Sequence, residues 1–231
     1  MISIKNVNQF YGGTQILWDL NLDIKPGSCT CIMGRNGVGK TTLLKCIMGL
    51  LPVSSGEILL EGEALQNKKA ELRAPAGIGY VPQGRDIFPL LTVEENLKVG
   101  LPIRKDGAKE IPDKIFELFP VLKEMLQRRG GDLSGGQQQQ LAIGRALVLE
   151  PKVLILDEPN EGIQPNIVKQ IGDVILKLNK EEGLTVILIE QKLGFARRVG
   201  EEFRLMERGR VVASDRMDNL SEDLIRQYLA V

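Results

Sequence analysis

The sequence predicts an α/β fold in one domain, with a parallel sheet, an antiparallel β subdomain and a helical subdomain. Two apolar runs, "KVLILDEP" and "LTVILIE", lack polar alternation, which is typical of parallel strands covered on both faces. The amphipathic segment "IVKQIGDVILKLNKEEG" lies between them, where a crossover helix is expected. Residues 16–24 alternate between apolar and mostly polar side chains, which indicates a half-buried strand of a second kind of sheet.

The first part of the chain mixes antiparallel strands with one strand–loop–helix unit. The alternating strand places Ile16, Trp18, Leu20, Leu22 and Ile24 on one face. "KPGS" is a predicted turn, and "CTCIMG" is a strand that enters a glycine-rich loop. A helix is predicted over "KTTLLKCIMGLL", and a hairpin over "SSGEILLEGEAL".

A helical segment interrupts the sheet pattern after the short strand "GIGYVPQ". "TVEENLKVGL" and "PDKIFELFPVLKEMLQRR" carry charges on one helical face and apolar side chains on the other. Thr92 with Glu95 three residues later predicts a capping box. "FRLMERGRVVAS" predicts a final hairpin, and "SEDLIRQYLAV" a capped helix. We expect one domain over residues 1–231, with a helical subdomain over roughly residues 86–150.

Composition narrows the class of protein. The 231 residues include 30 basic and 30 acidic side chains, so nothing indicates a nucleic-acid partner. No apolar run approaches the roughly 18 residues of a membrane span, and the opening "MISIKNVNQF" lacks a signal-peptide core. Cys29, Cys31 and Cys46 form an odd set in a chain without histidine, which predicts reduced core thiols rather than disulfides or a metal site. We therefore expect a cytoplasmic protein unless a partner holds it elsewhere.

A glycine-rich loop between a strand and a helix carries the first chemical motif. "GRNGVGKTT" has the spacing of a phosphate-binding loop, whose backbone N–H groups surround phosphate oxygens. Lys40 is expected to reach the β- and γ-phosphates, and Thr41 to offer its hydroxyl to Mg²⁺. A glycine-rich turn with a chance lysine is the alternative, which the flanking strand and helix disfavour. The expected nucleotide-binding residues of this loop are Gly34, Arg35, Asn36, Gly37, Val38, Gly39, Lys40, Thr41 and Thr42.

Two carboxylates follow the apolar run "VLIL". A buried strand that ends in charged groups is costly unless those groups bind something at its exit. We expect Asp157 to hold Mg²⁺, directly or through water, and Glu158 to act as general base toward the attacking water. A solvated strand end would explain such a pair alone, but the phosphate loop elsewhere in the chain favours nucleotide hydrolysis.

A second anion-binding surface is predicted upstream of these carboxylates. Ser134 is the predicted N-cap of the helix "GGQQQQLAIGRALV", and a helix N-terminus with serine and glycine attracts phosphate. A polar low-complexity patch would explain "QQQQ" but not the Ser-Gly-Gly that precedes it. The expected nucleotide contacts of this surface are Ser134, Gly135, Gly136 and Gln137.

The phosphate loop, "LSGGQ" and "LILDEP", in this order and spacing, resemble the ATP-binding subunit of an ABC transporter over essentially the whole chain. The resemblance implies a P-loop NTPase core of ABC ATPase type, with an antiparallel β subdomain and a helical subdomain. It also implies a head-to-tail dimer, in which each phosphate loop closes over ATP against the "LSGGQ" of the other chain. ATP and Mg²⁺ are the implied cofactors.

The same resemblance implies roles for other residues. Tyr11 matches the aromatic residue that stacks on adenine, although a strand-edge tyrosine is nearly as good an interpretation. Gln83 matches the glutamine that contacts Mg²⁺ and the attacking water. The segment "GRDIFPLLTVEEN" would lie in the groove that takes a cytoplasmic helix of the transmembrane permease subunits, with a plain surface loop as the alternative.

Longer stretches around the motifs resemble the branched-chain amino acid and amide importer group, and "EGIQP" with "IEQKLGFAR" most resemble a urea importer ATP-binding subunit. This implies permeases, a second ATP-binding subunit and, indirectly, a periplasmic or extracellular solute-binding protein as partners. It places the chain peripherally on the cytoplasmic side of the plasma membrane. A branched-chain amino acid or other amide importer is one alternative. A non-transport ABC ATPase is another, against which the zero net charge and the compact helical insertion argue.

Four positions depart from the general ABC pattern. Gln191 stands where most relatives have the switch histidine, and Gln164 replaces an aspartate of the loop that communicates across the dimer. Gln140 and Asn160 stand where arginine and a hydroxyl residue are usual. An amide can donate to a γ-phosphate oxygen but cannot carry charge or relay a proton. We therefore predict that Gln191 is a catalytic contact of altered efficiency, in an asymmetric pair with an unlike subunit. A homodimer, or a module that binds ATP without turnover, remains the alternative.

Overall fold

The computed structural model describes residues 1–229, which form two β-sheets and the helices packed on them. The strands are β1 (Ile2–Tyr11), β2 (Thr14–Ile24), β3 (Cys29–Met33), β4 (Ser55–Leu60), β5 (Glu63–Ala64), β6 (Ile78–Val81), β7 (Val153–Asp157), β8 (Thr185–Ile189), β9 (Glu202–Glu207) and β10 (Arg210–Arg216). The α-helices are α1 (Lys40–Ile47), α2 (Val93–Lys98), α3 (Asp113–Leu118), α4 (Pro120–Glu124), α5 (Gly135–Leu147), α6 (Pro165–Lys180), α7 (Leu193–Val199) and α8 (Glu222–Tyr228). The predicted C-terminal helix is confirmed as α8, capped by Ser221, and the last two residues of that prediction lie outside the described part.

The larger sheet has six strands in the order β10-β9-β3-β8-β7-β6. Neighbours from β9 to β6 run parallel, and β10 pairs antiparallel with β9 at one edge. Every residue of β3, β7 and β8 is buried, as expected for parallel strands covered on both faces. The two apolar runs are therefore confirmed as parallel strands, and the last hairpin as β9 and β10.

The smaller sheet is antiparallel, in the order β2-β1-β4-β5. The predicted strand over residues 16–24 and the predicted hairpin are confirmed as β2 and as β4 with β5. The alternation predicted for the start of β2 is wrong, because a register shift buries Leu17 and leaves Trp18 42% exposed. Strand β1 was not predicted, although it pairs with both β2 and β4. Its register shifts between Ile4 and Val7, around Asn6 with φ 50°, so the period of two that marks a strand is broken.

Apolar side chains pack in two layers, one on each face of the six-stranded sheet. In strand β3, side chains on opposite faces of the sheet pack in different layers. Cys29, Cys31 and Met33 pack in the layer with α2–α7, whereas Ile32 packs in the layer with α1 and the smaller sheet. The three cysteines are buried free thiols, as predicted.

Four α-helices, α2–α5, occupy the chain between β6 and β7. The capping box of α2 is confirmed, because the Thr92 hydroxyl accepts from the Glu95 N–H at 3.1 Å and the Glu95 carboxylate accepts from the Thr92 N–H at 2.7 Å. The helical character predicted for "PDKIFELFPVLKEMLQRR" is confirmed in α3 and α4 but not over residues 125–129. Helix α3 ends before Phe119 and α4 begins at Pro120, because proline cannot donate to the preceding turn. No helix within residues 1–229 has the length and apolarity that crossing a bilayer requires.

Gly209, in the turn between β9 and β10, connects the two sheets to the phosphate loop. Its N–H donates to the Val38 carbonyl at 2.9 Å, and its carbonyl accepts from the Trp18 N–H at 3.0 Å. Its φ of 74° favours glycine, and a Cβ there would overlap the Ile16 carbonyl oxygen. The backbone must therefore move to accommodate any side chain at this position.

We expect Gly209→Ala to lower the free energy of unfolding by about 1–3 kcal/mol, because both backbone strain and steric overlap are introduced. Urea denaturation followed by circular dichroism measures the change. Gly183→Ala is the matched control, since Gly183 has φ 70° but open space around its Cβ position. An equal loss of stability in both variants would show that the overlap with Ile16 contributes nothing.

Candidate functional site

The predicted site residues lie at the ends of four neighbouring parallel strands, at one edge of the larger sheet. Strand β3 leads into the phosphate loop, β7 ends at Asp157, β8 is followed by Gln191, and β6 leads to Gln83. These strands are adjacent in the order β3-β8-β7-β6 and all run parallel. Their carboxyl ends therefore meet, which is where open α/β sheets bind ligands.

A cavity of about 730 Å³ opens at this edge. Its wall combines phosphate-loop residues with the residues that follow β6, β7 and β8. The lining residues are Ile16, Asn36, Gly37, Gly39, Lys40, Thr41, Thr42, Gln83, Glu158, Glu161, Glu190, Gln191 and Lys192.

The phosphate loop turns tightly before α1. Gly34 lies so close to Met206 that a Cβ would overlap the Met206 carbonyl oxygen, so only glycine fits there. The Lys40 ammonium donates to the carbonyl oxygens of Gly34 at 2.7 Å and Arg35 at 2.8 Å, which folds the side chain back over the loop. Burial lowers the pKa of Lys40, and the nearby carboxylates of Glu158 and Asp157 act in the opposite direction.

Asp157 is the buried carboxylate at the end of β7, only 1% exposed. Within residues 1–229, neither of its carboxylate oxygens accepts a well-formed hydrogen bond, although the Thr41 hydroxyl lies nearby. Burial raises the pKa of Asp157 to about 6, and the charge of Glu158 adds to this, whereas the Thr41 hydroxyl and Lys40 act in the opposite direction. An ionised group without partners at this depth is costly unless a cation occupies the site.

The cost of burying the ionised Asp157 carboxylate predicts that the stability of the folded chain depends on pH. The pKa of Asp157 is about 6 in the folded chain and about 3.8 in an unfolded one, so the folded chain binds more protons between these values. Its stability therefore falls as pH rises through that window. We expect Asp157→Asn to raise the free energy of unfolding of the nucleotide-free chain by about 1–3 kcal/mol near pH 7.5, with a smaller gain near pH 4.5.

Urea denaturation at the two pH values measures this difference. The exposed Asp23 supplies the matched control, Asp23→Asn, which we expect to leave stability within about 0.5 kcal/mol. A gain for Asp157→Asn that is the same at both pH values would contradict the buried-charge explanation.

Glu158 and Gln191, which are 33 residues apart in sequence, are in direct contact. The Gln191 side-chain amide donates to the Glu158 carboxylate and, at 2.8 Å, to the Asn36 side-chain oxygen. Glu158 has φ 48°, a left-handed conformation that is strained for a residue with a side chain, and its N–H donates to the Ile189 carbonyl at 3.0 Å. The structure thus brings the candidate base, the candidate γ-phosphate contact and the phosphate loop together.

Gln83 reaches the same cavity from the end of β6. Its side-chain amide donates to the carboxylate of Glu161 at 2.9 Å. Arg85, two residues later, donates to the Glu161 carbonyl and to the Gln138 side chain, both at 3.2 Å. The loop after β6 is therefore bonded both to the loop after β7 and to helix α5.

The Ser134–Gln137 surface is separate from this cavity. The Ser134 hydroxyl accepts from the Gln137 N–H, and the Gln137 side chain accepts from the Ser134 N–H at 2.9 Å, so the predicted N-cap is confirmed with a full capping box. Ser134 and Gln137 instead line a second cavity of about 560 Å³, which Gln164 and Gln140 also line. These residues meet the phosphate loop only if another chain supplies it.

Tyr11 lies at the end of β1 with 46% of its surface exposed. In the described part of the chain it does not line the 730 Å³ cavity, whereas Ile16 from β2 does. Adenine stacking by Tyr11 stays a prediction.

Sequence reasoning missed the buried Glu190 beside the cavity, and it noted its partner Asn160 only as a departure from the ABC pattern. Glu190 is 3% exposed and Asn160 is 1% exposed, and the Asn160 amide donates to the Glu190 carboxylate at 2.7 Å. Burial raises the pKa of Glu190, while hydrogen bonds from the backbone of Lys192 and Gln191 oppose the rise. The available signal was a carboxylate directly after the apolar run "VILI", the same pattern that identified Asp157 after "VLIL".

Fold and site together define a P-loop nucleotide-binding protein, and a phosphate contact at Ser134–Gln137 stays a prediction. A family model described as ABC transporter matches residues 17–161. A high-affinity branched-chain amino acid transport ATP-binding protein of Pseudomonas aeruginosa is 43% identical over 93% of this chain and 92% of its own length. A probable branched-chain amino acid transport ATP-binding protein of Archaeoglobus fulgidus is 39% identical over 96% of this chain and 94% of its own length.

Solved structures agree with this match. A dimeric ATP-binding cassette in a post-hydrolysis state, bound to ADP and Pi, superposes with a TM-score of 0.85 at 28% identity, over 94% of this chain and 99% of that one. A nucleotide-free ATP-binding cassette of an ABC transporter gives a TM-score of 0.82 at 28% identity, over 100% of this chain and 95% of that one. The chain belongs to the ABC transporter family, as one of its ATP-binding proteins, and is an ATPase. The predicted fold class, an ABC-type P-loop NTPase core, is confirmed.

Proposed function

We propose that this chain is the ATP-hydrolysing subunit of an ABC importer of the branched-chain amino acid and amide group, with urea as its solute. The 43% identity to a branched-chain amino acid transport protein over nearly the whole chain carries the assignment to the group. Urea rests on the resemblance of "EGIQP" and "IEQKLGFAR" alone. A branched-chain amino acid importer is the second candidate, which the names of both relatives favour.

Uptake of labelled solute decides between the two candidates. Cells that lack this gene are compared with cells complemented by the wild-type gene or by Glu158→Gln. Restored uptake of labelled urea, without restored uptake of labelled leucine, supports the urea assignment. Restored leucine uptake would replace it by the second candidate, and restoration of neither would argue against import by this group.

Each site residue has a separate role in the hydrolysis that we propose. The phosphate loop with Lys40 binds the phosphates, and Glu158 accepts a proton from the attacking water. Gln83 and Gln191 orient the water and the γ-phosphate through their side-chain amides. Ser134–Gln137 closes over the ATP of a second subunit, and Tyr11 stacks on adenine.

The donor set fits Mg²⁺. Asp157 offers a buried carboxylate that accepts no well-formed hydrogen bond within residues 1–229, and Thr41 offers a hydroxyl beside it. Mg²⁺ is usually held by one or two protein oxygens together with phosphate oxygens and water, so a larger carboxylate cluster is not required. When bound, the ion would neutralise charge on the β- and γ-phosphates.

We propose that the helices within residues 86–150 form a helical subdomain whose surface contacts the permease subunits. Phe88 and Leu90, directly after the Gln83 loop, are 44% and 79% exposed, which leaves two neighbouring apolar side chains available to a partner. Docking there would hold the chain peripherally on the cytoplasmic side of the membrane. A solute-binding protein would act only indirectly, through the permeases.

Co-purification from membranes tests this assembly. We expect the tagged chain to bring down permeases and an unlike ATP-binding subunit, and Leu90→Ser to weaken the permease contact while ATP binding is retained. Recovery of the tagged chain with only copies of itself would argue against an unlike subunit. Recovery of the permeases by Leu90→Ser at wild-type efficiency would argue against a permease contact at Leu90.

A further inference from the structure

A buried bridge connects the loop that carries Glu158 to the turn that carries Gln191. Asn160 lies two residues after Glu158, and Glu190 directly precedes Gln191. The Asn160 side-chain amide donates to Glu190 Oε2 at 2.7 Å, and both residues are at least nine-tenths buried. The bridge therefore joins the two loops at positions one or two residues from Glu158 and Gln191.

The other carboxylate oxygen of Glu190 fixes the turn itself. Glu190 Oε1 accepts from the backbone N–H groups of Gln191 and Lys192, both at 2.8 Å. The Lys192 ammonium donates to the Asn160 carbonyl at 2.9 Å, which forms a second connection between the loops. Buried charge-assisted hydrogen bonds of this kind are short and directional, so they restrict both loops to one relative arrangement.

We propose that Glu190 and Asn160 are positioning residues that hold Glu158 and Gln191 in the mutual orientation that hydrolysis requires. This inference rests on the proposed roles of Glu158 and Gln191. It assigns a purpose to Asn160, which stands where a hydroxyl residue is usual. It also explains why Glu190 is retained in the core although a buried carboxylate is costly.

Exchange of donor and acceptor across the bridge is the sharpest test. Asn160→Asp places a second carboxylate against Glu190, and the repulsion is expected to separate the loops. A displacement of about 1 Å at a catalytic group costs about 100-fold in rate, so we expect kcat to fall about 10- to 100-fold. Adding Glu190→Gln restores a donor–acceptor pair and the original net charge, and is expected to recover most of the lost rate.

Measurement of the affinity for ATP distinguishes a positioning role of the bridge from general damage to the fold. The phosphate loop makes no contribution to the bridge, so the ATP dissociation constant is expected to stay within about threefold in every variant, while kcat changes. Asn219→Asp is the matched control, because the exposed Asn219 amide donates to Asp215 at 3.0 Å and the substitution creates a similar carboxylate pair. The control is expected to leave kcat unchanged. The measurements use the ATPase complex recovered from membranes.

Several outcomes would overturn the inference. They are wild-type kcat in Asn160→Asp, no recovery on addition of Glu190→Gln, or equal loss of affinity and kcat. If Asn160→Asp does not fold, Asn160→Ala removes the bridge without added charge, and an unchanged kcat in that variant would overturn the proposal. Glu158→Gln is measured in parallel. Full activity there would reject the proposed function itself, whereas an inactive Glu158→Gln beside a fully active Asn160→Asp would reject only the bridge.

Discussion

Replacement of Glu158 by glutamine is expected to abolish most ATP hydrolysis while ATP binding persists. The amide has the shape of the carboxylate but cannot accept the proton of the attacking water, and general-base catalysis contributes about 10²- to 10⁴-fold to rate. Binding is expected to be retained because the substitution leaves the phosphate loop and Lys40, which hold the phosphates, unchanged. We expect the variant to accumulate as an ATP-bound dimer.

Steady-state phosphate release and size-exclusion chromatography with ATP measure the two effects. Glu181→Gln, at the exposed C-terminal end of α6, makes the same chemical change away from the site and should hydrolyse ATP at the wild-type rate. Retention of more than about a tenth of the wild-type rate in Glu158→Gln would assign the general base to another group.

Local motifs explain why so much of this site was predictable. The phosphate loop and the Asp157–Glu158 pair are each contained in a few consecutive residues, and each follows a buried strand. Their flanking strands and helix were equally recognisable from apolar runs and amphipathic spacing. Gln191 was predicted through resemblance and spacing, and its contact with Glu158 supports the position while its role awaits measurement.

Features that depend on tertiary structure were not predictable in the same way. Strand β1 was missed because its register shifts break the alternation, and one of its two pairing partners, β4, lies far along the chain. The order β3-β8-β7-β6, which brings the strand ends together, cannot be inferred from any one segment. The hydrogen bond from Asn160 to Glu190 joins residues 30 positions apart in sequence, so no local pattern predicts it.

Removal of the Gln191 amide is expected to have the second large effect. The side-chain NH₂ has two hydrogens, and in this structure one donates to Glu158 and the other to Asn36. A contact with the γ-phosphate therefore requires Gln191 to release one of these partners, and release of Glu158 would free its oxygen for the water proton. Loss of one positioned transition-state donor costs about 2.7–4 kcal/mol, so Gln191→Ala should lower kcat about 10²- to 10³-fold.

Gln191→His tests what the amide contributes in place of imidazole. An amide does not titrate near neutral pH, whereas an introduced histidine has an unperturbed pKa of about 6.5, so this variant alone should gain a pH-dependent step in kcat between about pH 6 and 7. Turnover by the chain alone should remain below that of the pair with an unlike subunit, because Gln191 serves only the site built on this chain's phosphate loop. Equal turnover by the chain alone and by the pair would mean that the two ATP sites are equivalent. If Gln191→His also leaves the pH profile unchanged, Gln191 makes no contact with the γ-phosphate.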